Sequence, residues 1–472
     1  MSERGHAPGS FRELFVVSLP LIISAGSHSL MNIADRIMLA GYQPANVDVG
    51  TALDVIAAVT PAGMLHWTVA CIPLGTILYA NTFISQFDGA NKPRELAASL
   101  WQCVWLAIIS GLLLILLIPF SSSVFTLAGH SPNMVAQESA YFNTLCAGSV
   151  LLLTSNALGC FFSGRQKTLV VMWVNMVSVF INVVMDYALI YGHWGLPEMG
   201  ITGAAAGTLL ARACDIVMFV ALMILHGRRS RYPLRSTWRP DVDMLKKYLR
   251  FGVPSGLHYF VDNSGFLAFL FIVGSLSRDD MAATNLAFSV NAVIFVPLLG
   301  FGTAVQTLVG HHIGANLPAA AVRTTWNAVR MGMVWTGAAA ILLVYFPEAS
   351  LRPFLAFTDG ATDNGGSIRA ILPTASRLLR FVAIYSIFDA MAVVFASALR
   401  GAGDTLFPML ITMCSSWLVM TLPAWLIVRS EGATIQQLWL TCTAHIMLMG
   451  SAMLLRFLAG KWKTIHLVSN DQ

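Results

Sequence analysis

The sequence predicts an all-α membrane protein of 12 transmembrane helices, arranged as two six-helix lobes that are parallel repeats. Hydrophobic residues make up 56% of the chain and charged residues only 11%, with a mean hydropathy of +0.70. Soluble domains carry about 25% charged residues. Apolar runs long enough to cross a bilayer recur along the whole length, and motifs of the first half return in the second. These observations exclude an ordinary soluble globule.

Hydropathy divides the chain into twelve apolar segments. They start near Leu14, Val55, Leu96, Ala136, Leu169, Ile201, Phe251, Leu286, Val322, Ala370, Leu406 and Gln436. The first apolar run is much longer than that of a signal peptide and has no small-residue cleavage site directly after it, so we interpret it as a retained span.

Basic residues predict the topology. Lys and Arg collect in alternate loops, above all between His226 and Arg250, which is the pattern of a cytoplasmic face. Four arginines between Arg352 and Arg380 weaken the rule at one outer loop. We expect a multi-pass protein of the inner (cytoplasmic) membrane with both termini cytoplasmic. The net charge of +5 follows from this topology and does not indicate nucleic acid as a partner. We expect the lipid bilayer as a partner, and a monomer.

Two motifs indicate an internal duplication. GANKP at Gly89 to Pro93 returns as GANLP at Gly314 to Pro318, about 225 residues later, as expected of a tandem repeat. GRQKT, which starts at Gly164, is answered by GAGDT, which starts at Gly401. We therefore predict an N-terminal lobe over residues 1–235 with the first six helices and a C-terminal lobe over residues 236–472 with the last six. Because each half has an even number of helices, the repeats are parallel, and substrate is expected to bind between them.

Four oxygen-bearing side chains are predicted at one level of the N-terminal half. Asp35 of the first helix and Asp186 of the fifth each lie about 9 Å from the outer end, and Thr208 of the sixth lies about 12 Å in. Asn182 is four residues before Asp186 and shares its face. Ionisable groups inside membrane helices are costly and by default functional. The set suits Na+, or a proton shared by two carboxylates, and either ion is open as the coupling ion.

A second acidic pair is predicted near the midplane of the C-terminal half. Asp262 lies about 18 Å from the cytoplasmic end of its helix and Asp389 about 16 Å from the end of its own. Tyr385 is four residues before Asp389 and is able to donate its hydroxyl to a carboxylate. The adjacent His311 and His312 are candidate metal ligands by residue type. They correspond to Ser85 and Gln86 of the first half, which favours a structural role.

These motifs together resemble the multidrug and toxic compound extrusion (MATE) transporters over nearly the whole chain. The resemblance rests on AD-x-IM-x-AG at Ala34 to Gly41, SQFDGAN at Ser85 to Asn91, N-x3-D-Y at Asn182 to Tyr187, GITGAAAGT at Gly200 to Thr208, GVP followed by Asp262, Y-x3-DA at Tyr385 to Ala390 and ALRGAGDT at Ala398 to Thr405.

The resemblance implies a V-shaped, two-lobe exporter of the MOP superfamily that extrudes organic, mostly cationic and amphipathic compounds in exchange for inward Na+ or H+. It matches the N-terminal set to the family's N-lobe cation-site residues, which would hold Na+ if Na+ is the coupling ion: Asp35, Asn182, Asp186 and Thr208. Asp262, Tyr385 and Asp389 match the C-lobe site of the NorM-like branch, whose members carry Glu in place of Asp262. The partner that the resemblance implies is a small organic substrate, and no cofactor is implied beyond the coupling ion.

Other functions are weighed by residue type. A lipid-linked oligosaccharide flippase of the same superfamily would call for inward Arg or Lys, whereas these spans supply mostly Asp. An exporter of one endogenous metabolite stays open. The loop after the second helix lacks the G-x3-D-R-x-G-R-R pattern of major facilitators, and HExxH, GxSxG and P-loop motifs of enzymes are absent. We therefore predict a transporter and not an enzyme.

Overall fold

The computed structural model describes residues 7–42, 49–227, 232–234, 236–355, 365–465 and 467. Within these ranges every regular element is a helix. The α-helices of the N-terminal half are α1 (Phe11–Ala40), α2 (Val49–Leu78), α3 (Ala80–Gly89), α4 (Pro93–Ile115), α5 (Ser121–Leu127), α6 (Pro132–Ala147), α7 (Ser149–Gly164), α8 (Thr168–Tyr191) and α9 (Ile201–Gly227).

Those of the C-terminal half are α10 (Val242–Leu276), α11 (Arg278–Gly314), α12 (Pro318–Tyr345), α13 (Pro347–Leu355), α14 (Gly365–Ala402), α15 (Leu406–Cys414), α16 (Leu422–Val428) and α17 (Ile435–Leu458). Short 3-10 turns lie at Ile118–Phe120, His193–Gly195 and Lys461–Thr464, and a π-helical segment at Ser415–Thr421 joins α15 to α16.

The number of spans agrees with hydropathy. By length and composition, 11 helices of the described chain are able to cross a membrane. The pair α6 and α7, bent by 43°, forms a twelfth when it is counted as one span. The bend is at Gly148, where an added side chain would collide with Leu209 of α9. The predicted all-α membrane fold is confirmed.

The GAN-x-P motif has the same conformation in both halves. It ends α3 and begins α4 in the first half, and it ends α11 and begins α12 in the second. Its asparagine is left-handed in each copy, with φ of 55° at Asn91 and 57° at Asn316. The next amide donates to the carbonyl oxygen five positions back, at 2.9 Å in the first half and 2.8 Å in the second.

The second repeated motif behaves in the same way. Gln166 in GRQKT and Gly403 in GAGDT both have positive φ, 58° and 103°. The amide after each donates to the carbonyl five positions back at 2.9 Å. The duplication seen in the sequence is thus also present in the backbone of these connections.

The chain forms two compact units. The N-terminal unit is Ile23–Phe260, and the C-terminal unit is Met1–Ile22 with Val261–Gln472. The first helix of each repeat is therefore divided, α1 two residues after Pro20 and α10 six residues after Pro254. The proposed repeat boundary between residues 235 and 236 concerns the sequence halves and stays a prediction.

The C-terminal unit has a large apolar core. Helices α10, α11, α14 and α17 contribute Phe269, Val290, Val382 and Trp439 to it, and all four side chains are buried. The first turn of α1 is held in the same unit, because the buried Glu13 lies 3.3 Å from Nε2 of His312.

Candidate functional site

The carboxyl groups of Asp35 on α1 and Asp186 on α8 meet inside the N-terminal unit. They lie within hydrogen-bonding range of each other, and Asp186 is fully buried. Oδ1 of Asp35 and both oxygens of Asp186 receive no hydrogen bond of good geometry from the described part of the chain. Because carboxylates only accept hydrogen bonds and repel each other, this pair requires a proton or a metal cation to be stable.

Asn182 and Thr208 complete the predicted N-terminal set. Asn182 is fully buried beside Asp186, and its Nδ2 donates to Oγ1 of Thr208 over 3.4 Å. Oγ1 of Thr208 donates to the carbonyl of Ala204 at 3.1 Å. Oδ1 of Asn182 accepts no hydrogen bond from the described residues. The structure therefore brings all four predicted residues together on α1, α8 and α9.

Two glycines allow α9 to approach α8 this closely. A Cβ at Gly203 would lie 2.7 Å from the carbonyl oxygen of Leu189, and a Cβ at Gly207 would collide with Oδ1 of Asp186. Their four-residue spacing is the small-residue pattern that lets membrane helices pack backbone to backbone. The glycines of GITGAAAGT thus position Thr208 beside the carboxylates.

Tyr141 of α6 is a site residue that sequence reasoning missed. It interacts electrostatically with Asp35, Asp186 and the neighbouring Arg36. It packs against an apolar cluster to which α1, α8 and α9 contribute Leu39, Ile190 and Ala204. The sequence offers only a weak signal, a tyrosine in the first half of the bent α6–α7 pair.

The predicted C-terminal residues also lie near one another. Asp262 on α10 and Asp389 on α14 interact electrostatically, and Asp389 also acts on the hydroxyl of Tyr385. Asp389 and Tyr385 are buried, whereas Asp262 is half-buried. The ring of Tyr385 stacks on Trp439 at a centroid distance of 6.5 Å.

Arg400 alters the charge of this second cluster. Arg400 is buried in the last turn of α14 and acts electrostatically on Asp262. Its Nη2 donates to Oγ of Ser397 at 3.2 Å. The C-terminal cluster therefore combines two carboxylates with a nearby guanidinium.

Sequence reasoning also missed an ion pair inside α9. Nη1 of Arg212 lies 3.1 Å from Oδ2 of Asp215, and both residues are buried. The signal was present, because these are two charges in an otherwise apolar run.

The oxygen donors of the N-terminal set suit a hard cation or a proton better than a transition metal. The N-terminal set offers carboxylate, amide and hydroxyl oxygens, which hard cations prefer. No group of three or more His, Cys, Asp or Glu side chains in the described part of the chain is placed to hold a metal ion.

The fold and these buried carboxylates define an all-helical, multi-pass membrane protein with ionisable sites inside its helical units. The family model MatE matches residues 20–188 and 254–426, which cover most of both halves. The chain belongs to the MatE family. It is a membrane transporter of small molecules and not an enzyme.

Curated relatives cover most of the chain. A "probable multidrug resistance protein NorM" of Thermotoga maritima is 26% identical over 98% of this chain and 95% of its own length. A "multidrug resistance protein NorM" of Burkholderia vietnamiensis is also 26% identical, over 85% of this chain and 83% of its own.

Solved structures support the fold. A multidrug resistance MATE family transporter of the MOP superfamily, in an outward-facing conformation, superposes with a TM-score of 0.84 at 19% identity. The match covers 96% of this chain and 97% of that one.

Proposed function

We propose that this chain is a cation-coupled antiporter, driven by Na+ or H+, that exports organic compounds across the cytoplasmic membrane by alternating access. The observation that carries the proposal is the contact between the half-buried Asp35 and the fully buried Asp186. The relatives named as multidrug resistance proteins support a broad range of cationic or amphipathic substrates.

Coupling follows from the energy of the carboxylate pair. Without a bound cation, two adjacent carboxylates repel each other, which favours separation of α1 from α8. A cation at the pair removes the repulsion and favours the contact. If substrate binds the other arrangement better, the two ligands compete through one equilibrium and their opposite fluxes are coupled. One charge moving inward across 100 mV supplies about 2.3 kcal/mol.

The C-terminal cluster would be the second binding site of the transport cycle that we propose. Asp262, Asp389 and Tyr385 would hold either the coupling ion or the positive group of a substrate. Cargo with a pyrophosphate, as in a lipid-linked oligosaccharide flippase, is less well served, because the buried Arg212 already pairs with Asp215 and the buried Arg400 acts on Asp262. We further propose that the protein acts as a monomer of the inner membrane with both termini cytoplasmic.

The test is efflux of a cationic dye from loaded proteoliposomes. A Na+ gradient at equal pH and a pH gradient without Na+ are imposed separately. We expect one of them to drive efflux in the wild type, and Asp35→Asn and Asp186→Asn to abolish the gradient-dependent part. Asp243→Asn is the control, since that carboxylate is 91% exposed. An efflux rate that depends on neither gradient, or that is unchanged in Asp35→Asn, would contradict the proposal.

A further inference from the structure

A second polar layer lies two helical turns from the carboxylate pair, on the same three helices. Nη2 of Arg212 donates to Nδ1 of His28 over 3.2 Å, while its Nη1 holds Asp215. Ser178 on α8 lies beside Asp215 and donates to the carbonyl of Ala211 at 3.4 Å. Arg212, Asp215 and Ser178 are buried. This layer therefore joins α1, α8 and α9 below the predicted cation site.

The direction of the hydrogen bond fixes the state of His28. A guanidinium has only donors, so Nδ1 must be the acceptor and the ring proton lies on Nε2. The bond is charge-assisted, which makes it stronger than a neutral one. It is thus a directed contact between the side chain of α1 and a charge on α9.

His28 and Asp35 share one face of α1. Seven residues separate them, which is about 20° away from two full turns of an ideal helix. Any rotation of α1 that removes His28 from Arg212 therefore turns Asp35 away from Asp186 by a similar angle. The reverse also holds, because a bond that fixes His28 fixes the direction of Asp35.

Two other hydrogen bonds hold α1 in this unit, one on each side of His28. The hydroxyl of Tyr191 donates to the main-chain carbonyl of Met38 at 2.7 Å, and helix carbonyls point along the axis rather than to one side. Asn175 contacts Ser24 near the other end of this part of α1. Arg212 supplies the charged side-chain contact between these two.

We propose that Arg212 is a positioning residue of the cation site: by holding His28, it fixes the rotation of α1 and keeps Asp35 facing Asp186 against their mutual repulsion. Asp215 orients the guanidinium for this task. The role of Arg212 in transport rests on the proposed function, whereas its effect on the rotation of α1 does not.

The first test measures geometry alone. Spin labels are placed on the exposed residues Ile33 of α1 and Leu210 of α9, in a background without the native cysteines, and their distance is measured in detergent. Removing one member of a buried ion pair leaves an uncompensated charge, so the test variant is Arg212→Gln with Asp215→Asn. We expect a longer and broader distance distribution than in the wild type. An unchanged distribution in a folded variant would overturn the proposal.

A second measurement separates positioning from general stability. In proteoliposomes, we expect the variant to need about tenfold more coupling cation for half-maximal efflux, as loss of one charge-assisted bond implies, with the maximal rate little changed. Arg212→Lys should restore part of the affinity. His28→Leu should give the same defect alone but add nothing in the Arg212→Gln, Asp215→Asn background.

The control is Arg330→Gln, at an exposed arginine of α12, which should leave the distance and the cation dependence as in the wild type. Additive effects of His28→Leu would overturn the proposal. A wild type without gradient-driven efflux would refute the proposed function instead, and the label distances would still decide the role of Arg212.

Discussion

Gly207 determines how closely α9 approaches the carboxylate pair. An added Cβ would collide with Oδ1 of Asp186 and lie 3.1 Å from its amide nitrogen. The contact with backbone matters, because a side chain can rotate away whereas a helix must shift as a whole. A single missing methyl group therefore allows Thr208 and Asn182 to share one site.

Gly207→Ala is expected to destabilise the protein by about 1–3 kcal/mol, the usual cost of overpacking, although alanine is favoured in helices by about 1 kcal/mol. Thermal unfolding in detergent measures this, and efflux assays should show weaker dependence on the coupling cation. The matched control is Gly26→Ala on α1, which meets nothing within 4 Å and should be neutral or slightly stabilising. Equal responses of the two variants would contradict the packing argument.

At the level of elements, the segment between the two halves is tied to α4. Nε1 of Trp101 donates to the carbonyl of Leu234 at 2.8 Å. The side-chain amide of Gln102 makes two hydrogen bonds to the same segment. Its Nε2 donates to the carbonyl of Arg239 and its Oε1 accepts from the amide of Asp241, both at 3.0 Å. The linker therefore enters α10 in a fixed direction.

Gln102→Ala is expected to lower the free energy of unfolding by about 2 kcal/mol, because two hydrogen bonds of about 1 kcal/mol each are lost. Thermal unfolding and the rate of tryptic cleavage after Arg235 are the measurements, since trypsin does not cut the bond between Arg239 and Pro240. Lys246→Ala is the control, since that side chain is 74% exposed and its ion pair spans 4.0 Å; such pairs contribute little. Cleavage at the wild-type rate in Gln102→Ala would show that the linker is held by other contacts.

The sequence predicted the helices, and the depth of polar residues along them, better than the contacts between helices. The depths of Asp35 and Asp186 followed from a constant rise per residue, and the structure places the two side chains together. Tyr141 could not be found this way, because its position depends on the bent pair α6–α7 and on packing with α8. The sequence also did not indicate that Arg400 acts on Asp262, because the two residues lie on different helices and are far apart in the chain.

For the whole molecule, the two units differ in the charge of their acidic sites. In the N-terminal unit, Asp35 and Asp186 face each other while Arg212 is engaged by Asp215. In the C-terminal unit, Arg400 acts on Asp262 and offsets one of its two carboxylates. We therefore expect the N-terminal pair to bind the inorganic coupling cation, and the C-terminal cluster, with the aromatic ring of Tyr385, to bind the positive group of an organic substrate.

This difference predicts a division of roles that two substrates can separate. Asp389→Asn should raise the half-saturating concentration of a cationic substrate about tenfold, as expected when a charge-assisted contact is lost. It should change little for a neutral substrate of similar size, and gradient dependence should persist. Efflux of both substrates from proteoliposomes at one fixed gradient is the measurement, with the exposed Asp279→Asn as control. If Asp389→Asn instead abolishes gradient dependence for both substrates, the C-terminal carboxylates belong to the coupling step.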